Sequence, residues 1–155
     1  MEAYRRYAPA LLRKGERLLG NPSDAEDLVQ ALFLDLMAQG GAPVELPYLY
    51  RAITNRGLNL IRDRGTRARL LEQSGGGAAA APSRTRCDDQ VIGLDILLKV
   101  IDRLDPLAVE VLVYRYVDDL TQEEIAALLS TSRKTVGKRL ERIRAVVAEL
   151  RGGRP

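Results

Sequence analysis

The tightest constraint on this chain lies between Leu120 and Arg144, Leu-Thr-Gln-Glu-Glu-Ile-Ala-Ala-Leu-Leu-Ser-Thr-Ser-Arg-Lys-Thr-Val-Gly-Lys-Arg-Leu-Glu-Arg-Ile-Arg. Thr121 and Glu124 have the spacing of a capping box, in which side chain and backbone satisfy each other at a helix start. Ile125, Ala126, Leu128 and Leu129 give the short helix that follows a core face. Ser130, Thr131 and Ser132 favour turns and caps over helix interior. A second helix begins near Arg133, with an apolar stripe of Val136, Leu140, Ile143, Val147 and Leu150 at helical spacing. Lys134, Lys138 and Glu141 fall opposite that stripe, with Arg133, Arg139, Arg142 and Arg144 on its flanks. Two helices, a short turn and a basic face together predict a helix-turn-helix. Its second helix enters the major groove of duplex DNA with its N-terminal residues nearest the bases.

Charge is segregated along the rest of the chain. Net charge is only +3, yet residues 51–69 hold six Arg against one Asp, and residues 133–144 hold six Arg or Lys against one Glu. Residues 23–36 carry four acids and no base. Two basic patches suit a polyanion, and the acidic segment suits a different partner. The 155 residues contain no His and one Cys, Cys87. Without His there is no Ser/His/Asp or Cys/His constellation, and the commonest metal ligand is absent. No phosphate-binding glycine loop occurs either. The chain is therefore expected to have no catalytic residues, cofactor or metal. It has no apolar run long enough to span a bilayer and no signal-peptide pattern, so a cytoplasmic location is expected.

The periodicities predict an all-α chain of two small helical domains, 1–72 and 91–151, joined by a flexible linker over 73–90. Residues 2–19 read as a helix stopped at Gly20-Asn21-Pro22. Ser23 with Glu26 reads as the cap of a second helix, whose core face is Ala25, Leu28, Val29, Leu32 and Leu36. Asp27, Gln30 and Leu34 point elsewhere on it. A third helix begins near Pro47, with Leu49, Ile53, Leu60 and Ile61 inward and Gly57 and Gly65 weakening it. After the linker, a helix is expected from Val91 to about Arg103, and Asp105-Pro106 caps the next. The β-branched run Val109–Val117 alternates as a strand would, but with no partner strand in prospect it is taken as helix.

Residues 21–33, Asn-Pro-Ser-Asp-Ala-Glu-Asp-Leu-Val-Gln-Ala-Leu-Phe, resemble region 2 of bacterial sigma factors of the extracytoplasmic-function (ECF) type. Residues 47–62, Pro-Tyr-Leu-Tyr-Arg-Ala-Ile-Thr-Asn-Arg-Gly-Leu-Asn-Leu-Ile-Arg, resemble the next part of that region. Leu104-Asp-Pro through Arg144 resembles region 4, and order and spacing match over roughly residues 4–148. The resemblance implies a dissociable promoter-recognition subunit of RNA polymerase that performs no catalysis itself. It implies contact with the core polymerase through Asp27, Gln30 and Leu34. It implies a loop from Gln39 to Pro47 that separates the strands of the −10 element and captures a flipped base. Tyr48, Arg51, Asn55, Arg56 and Arg62 are the implied −10 residues, combining stacking groups with a basic track. Arg133, Lys134, Lys138 and Arg142 are the implied −35 residues. An antagonist, an anti-sigma factor, is an expected partner beside core polymerase and promoter DNA. The chain departs from the usual family pattern at Tyr48, where Trp is common, and at Asn59, where Asp is common. Ser130-Thr131 stands where the turn often has Gly and an apolar residue.

Two other readings share parts of this pattern. A stand-alone helix-turn-helix regulator would have the same C-terminal half and would bind duplex DNA without polymerase. An interaction protein of sigma-like fold would occupy polymerase without promoter activity.

Overall fold

Three helices are folded together by small residues at their crossings. The computed structural model describes residues 2–73, 86–87, 90–91 and 94–152. Helix α1 (Glu2–Leu19) runs through Pro9 and buries Ala8, Leu11, Gly15 and Leu18 at steps of three and four. Helix α2 (Pro22–Ala38) buries Ala25, Val29, Leu32 and Phe33. Helix α3 (Leu46–Gln73) buries Leu49, Ile53 and Leu58. At Gly15 an added Cβ would sit 2.9 Å from the Ala25 Cβ and 3.3 Å from its Cα, so α1 and α2 cross almost backbone to backbone. At Gly57 it would run into Leu18 Cδ2. Gly57 is therefore a close-contact residue of the α1–α3 crossing as well as a helix weakener. Tyr4 closes the core edge-on against Phe33, ring centroids 5.0 Å apart.

The start of α2 differs from the expectation. Asn21, not Ser23, is the cap, and its Oδ1 accepts from the Ser23 and Asp24 amides at 2.8 and 3.3 Å. Pro22 explains the shift: its fixed φ and missing N–H suit the first helical position, which leaves the residue before it as cap. Phe33 is buried where Leu36 was expected, and Leu28 and Leu36 are half-buried around it. On α3, Leu60 and Ile61 are only half-buried and Leu58 takes the core position.

The chain divides into two compact units between residues 85 and 86. Most of the expected linker, residues 74–85 and 88–89, lies outside the described residues. Its far end holds a small exception to the all-helical expectation. Strands β1 (Arg86–Cys87) and β2 (Gln90–Val91) pair antiparallel, Arg86 with Val91 and Cys87 with Gln90. Val91 therefore belongs to a strand pair, and helix α4 (Leu94–Arg103) starts three residues later than expected.

The second unit is built from caps. Asp105 caps α5 (Pro106–Leu112), its Oδ1 accepting from the Ala108 amide at 2.8 Å. The ambiguous β-branched run is helical: α5 continues into a π-helical turn, Val113–Val117. Val109, Val111, Val113 and Tyr114 are all buried. The strand-like alternation reflects a helix buried on nearly every side. Tyr114 Oη donates to Glu110 Oε1 at 2.9 Å inside this core. Asp119, at φ 56°, ends the turn. Helix α6 (Gln122–Leu128) opens with the expected capping box, Thr121 and Glu124 bonded reciprocally at 3.1 Å. Helix α7 (Arg133–Gly152) buries Val136, Leu140, Ile143 and Val146. Val147 and Leu150, expected on that stripe, are half-buried at its edge.

Candidate nucleic-acid interface

In the second unit, the turn between α6 and α7 sets the geometry. Ser130 adopts φ 52°. The Thr131 amide reaches back to the Ala126 carbonyl at 2.9 Å and the Ser130 amide to the Ala127 carbonyl at 3.3 Å. That pair of bonds is a Schellman stop, in which a left-handed residue reverses the chain. Ser132 then caps α7, its Oγ accepting from the Thr135 amide at 3.1 Å. Arg133 and Lys134 thus occupy the first turn of α7, with no acid there. Cations at a helix N-terminus oppose the helix dipole. The arrangement concentrates positive potential at one spot, a setting that suits an anion. Arg133 is held by Glu123 of α6 at 3.0 Å. Lys134, Lys138 and Arg142 are exposed, and no ion pair is recorded for them among the described residues. Gln122, Arg133, Lys134, Gly137, Lys138 and Glu141 line one open groove between α6 and α7. Glu141 lies on this face as its spacing predicted, and Gln122, from the start of α6, is the polar member that the sequence reading did not place there.

Arg139 does a different job. Its Nη1 donates to both carboxylate oxygens of Asp105 at 2.8 and 3.0 Å, tying α7 to the cap of α5. It belongs to the scaffold beneath the basic face.

In the first unit the sequence candidates separate into two stripes. Tyr48, Arg51, Asn55 and Arg62 follow one another at helical spacing along α3. They span about 21 Å at 1.5 Å per residue. Tyr48 is 56% exposed and Asn55 is exposed, while Arg51 and Arg62 are half-buried. Arg62 donates to Asn59 Oδ1 at 3.3 Å, so Asn59 keeps as a hydrogen bond from the guanidinium the contact an Asp would make as an ion pair. Arg56 leaves this stripe. It sits beside it, paired with Asp35 of α2 at 2.7 Å. Arg64 is likewise paired with Asp24 at 2.7 Å. The end of α2 is again a Schellman stop, with Gly41 bonded to Leu36 at 3.0 Å and Gly40 to Met37 at 3.2 Å, and Gly40 at φ 104°.

On α2, Asp27, Gln30 and Leu34 share one exposed stripe, and Met37 extends it by another turn. Leu34 is 65% and Met37 53% exposed, so the stripe grades from acidic to apolar. Sequence reasoning missed Met37, although its spacing three residues after Leu34 carried the signal. Among the described residues no group of His, Cys, Asp or Glu could hold a metal ion, and no helix is long and apolar enough to cross a membrane.

Residues 3–67 match the family described as Sigma-70 region 2, and residues 94–146 match Sigma-70, region 4. The ECF RNA polymerase sigma factor SigE of Mycolicibacterium smegmatis is 33% identical over 148 residues, covering 91% of this chain. This chain spans only 57% of that relative's length. The RNA polymerase sigma-E factor of Streptomyces avermitilis is 31% identical over 152 residues, 96% of this chain and 82% of the relative. That of Streptomyces coelicolor is 30% identical over 148 residues, 96% of this chain and 83% of the relative. A solved structure of the sigma factor RpoE in complex with the anti-sigma factor NepR from Bartonella quintana is similar over 99% of this chain and 97% of that chain, at 21% identity and a TM-score of 0.49. With regions 2 and 4 present in order, and two relatives at 31% and 30% identity matched over more than four fifths of their length, the chain belongs to the ECF family of RNA polymerase sigma factors.

Proposed function

We propose that the protein is an alternative sigma factor that binds core RNA polymerase, recognises the −35 and −10 elements of a promoter and helps open the DNA. It performs no catalysis itself. Residues 1–72 form the polymerase and −10 domain, 73–90 connect, and 91–151 form the −35 domain. The observation that carries this reading is one chain with three different faces. The first unit has an acidic-to-apolar stripe on α2 and a Tyr/Arg/Asn stripe on α3, and the second has a cationic helix start at α7. A stand-alone helix-turn-helix regulator needs only the last of these. It gives no task to the Asp27, Gln30, Leu34 stripe or to an exposed Tyr48.

In this reading Asp27, Gln30, Leu34 and Met37 dock on core polymerase. Tyr48 stacks on an unpaired base and Asn55 hydrogen-bonds one, while Arg51 and Arg62 follow the backbone. Arg56 contributes to the same track once Asp35 releases it. Lys134 and Lys138 neutralise phosphate and Arg133 and Arg142 frame the −35 groove. A protein antagonist, an anti-sigma factor, fits the family, and a polymerase partner places the protein in the bacterial cytoplasm.

The direct test is capture of purified bacterial core RNA polymerase by the protein, beside an Asp27→Ala, Gln30→Ala double variant. Tight binding by the parent and at least tenfold weaker binding by the folded variant are expected. Binding to duplex DNA with no affinity for polymerase would replace this reading with the stand-alone regulator.

A further inference from the structure

Lys14 stands on the wrong face of α1 for a lysine. It is 0% exposed, between Leu11 and Leu18 on the side of the helix that packs inward. An ammonium there is costly unless its charge is met. Its Nζ lies 4.1 Å from the centroid of the Tyr50 ring, over the face where the π electrons attract a cation. One turn further along α1, Arg17 donates from Nη2 to Tyr50 Oη at 3.4 Å. Tyr50 is thus gripped at its ring and at its hydroxyl by two cations of the same helix. Thr54, buried one turn on, donates from Oγ1 to the Tyr50 carbonyl at 3.0 Å.

The grip has a directional consequence. On a helix, residues two apart point about 160° away from one another when measured the short way round. Fixing Tyr50 against α1 therefore aims Tyr48 away from the core, where it is 56% exposed. A leucine or methionine at position 14 would fill the same space but would have no preference for the ring face. The lysine makes the contact orientational.

We propose that Lys14 is a positioning residue for DNA opening: by holding the Tyr50 ring it fixes the rotation of the first turns of α3 and so aims Tyr48 and Arg51 at the unpaired strand. This rests on the assignment of the α3 stripe to the −10 element.

The experiment uses the full chain reconstituted with core polymerase, on a promoter that the parent holoenzyme selects from a random-sequence library. Strand opening is followed by 2-aminopurine fluorescence within the −10 element, and thermal unfolding and polymerase affinity are measured in parallel. Lys14→Met keeps the aliphatic stem and removes the charge. It is expected to unfold no earlier than the parent, to bind polymerase within about twofold, and to open the promoter on the order of tenfold less well, the scale of a desolvated cation–π contact. In a Tyr50→Leu background, Lys14→Met should cause no further loss. Tyr50→Phe, which keeps the ring, should open nearly as well as the parent. If Lys14→Met misfolds, the contrast between Tyr50→Leu and Tyr50→Phe carries the same prediction. Undiminished opening by a folded Lys14→Met, or an equal further loss on the Tyr50→Leu background, overturns the proposal. A Tyr48→Ala, Asn55→Ala variant separates the two levels. If it opens DNA as the parent does, the −10 assignment falls and the proposal with it. If it fails while Lys14→Met is normal, the positioning role alone falls.

Discussion

The two units deploy their basic residues in opposite ways. In the first, arginines of α3 are latched within the unit: Arg56 to Asp35, Arg64 to Asp24, Arg62 to Asn59. What stays outward in the first turns of that helix is aromatic and amide, Tyr48 and Asn55, with Arg67 and Arg69 exposed toward its far end. In the second, the latched cations, Arg139 and Arg133, stand beside a face of Lys134, Lys138 and Arg142 that is left to solvent. An arginine count therefore does not measure a polyanion footprint. The six arginines of residues 51–69 and the six cations of residues 133–144 look equivalent as text. Folded, Arg56 and Arg64 of the first set brace α3 against α2, while Lys134, Lys138, Arg142 and Arg144 of the second stay exposed. The first surface suits unpaired bases and the second suits duplex phosphate.

The units are also closed by different means, and the largest predicted effects test that. Gly15→Val places a branched side chain against Ala25, whose Cβ and Cα lie 2.9 and 3.3 Å from the new Cβ. The neighbour there is backbone and cannot step aside. A cost of about 3 kcal/mol to the first unit is expected from overpacking. Calorimetry of the full chain should show the first unit's transition moving down by more than 10 °C, on a scale of roughly 4–8 °C per kcal/mol for a small domain, while the second unit's stays. A uniform shift of both would mean that the units do not melt independently.

Asp105→Ala is the counterpart in the second unit. It removes the α5 cap and strands Arg139, whose Nε is already buried without a hydrogen-bond partner. A cap contributes about 1 kcal/mol and an orphaned charged donor costs at least as much, so a loss of about 2 kcal/mol is expected. Asp105→Asn, which keeps the capping oxygen, should recover about half. No recovery by Asn would assign the whole effect to the ion pair.

The positions that sequence reading got right are those where a local rule decides the outcome. Thr121 and Glu124 form their box because both partners lie within one turn, and Pro106 fixes Asp105 as a cap for the same reason. That Asp27, Gln30 and Leu34 point away from the core was legible from spacing, whereas Tyr48, Arg51, Asn55 and Arg62 were named through the family resemblance. What failed depended on the other helix. Gly57 reads as a defect until Leu18 is seen against it. Lys14 drew no assignment from the sequence, because the Tyr50 ring it faces lies on another helix. Arg56 was named for the DNA track, and its pairing with Asp35 of α2 was not visible in the sequence. Val147 continued the four-three spacing of the stripe, but Val146 is the buried residue, because α7 packs against α4, α5 and α6 and that packing, not the spacing, sets which residue is covered there.

A smaller effect bears on the charge contrast itself. Lys138 is exposed in the α7 groove and Arg64 is committed to Asp24. If the contrast is right, Lys138→Ala lowers the salt dependence of −35 duplex binding by about one unit in the logarithmic slope. Arg64→Ala leaves that slope unchanged and costs the first unit less than about 1 kcal/mol, as a partly exposed ion pair should. Equal slopes for parent and Lys138→Ala would show that this lysine does not reach phosphate.

The smallest effect comes from the two helix stops that share one hydrogen-bond pattern. After α2 the left-handed position is Gly40 at φ 104°, and after α6 it is Ser130 at φ 52°. The first lies outside the narrow left-handed basin open to side-chain-bearing residues, and the second lies inside it. Ser130 therefore carries a strain of about 1 kcal/mol that glycine would remove, partly offset by the extra freedom glycine has when unfolded. Ser130→Gly is expected to stabilise the second unit by about 0.5 kcal/mol, read as a rise in its denaturation midpoint at constant slope. Gly40→Ser should destabilise the first unit by more than that gain, because no left-handed well waits at φ 104°. The pair separates backbone strain from side-chain bonding. If Ser130→Gly destabilises, the Ser130 side chain contributes more to the turn than its backbone costs. The recognition helix would then owe its entry angle to the side chain that replaces glycine.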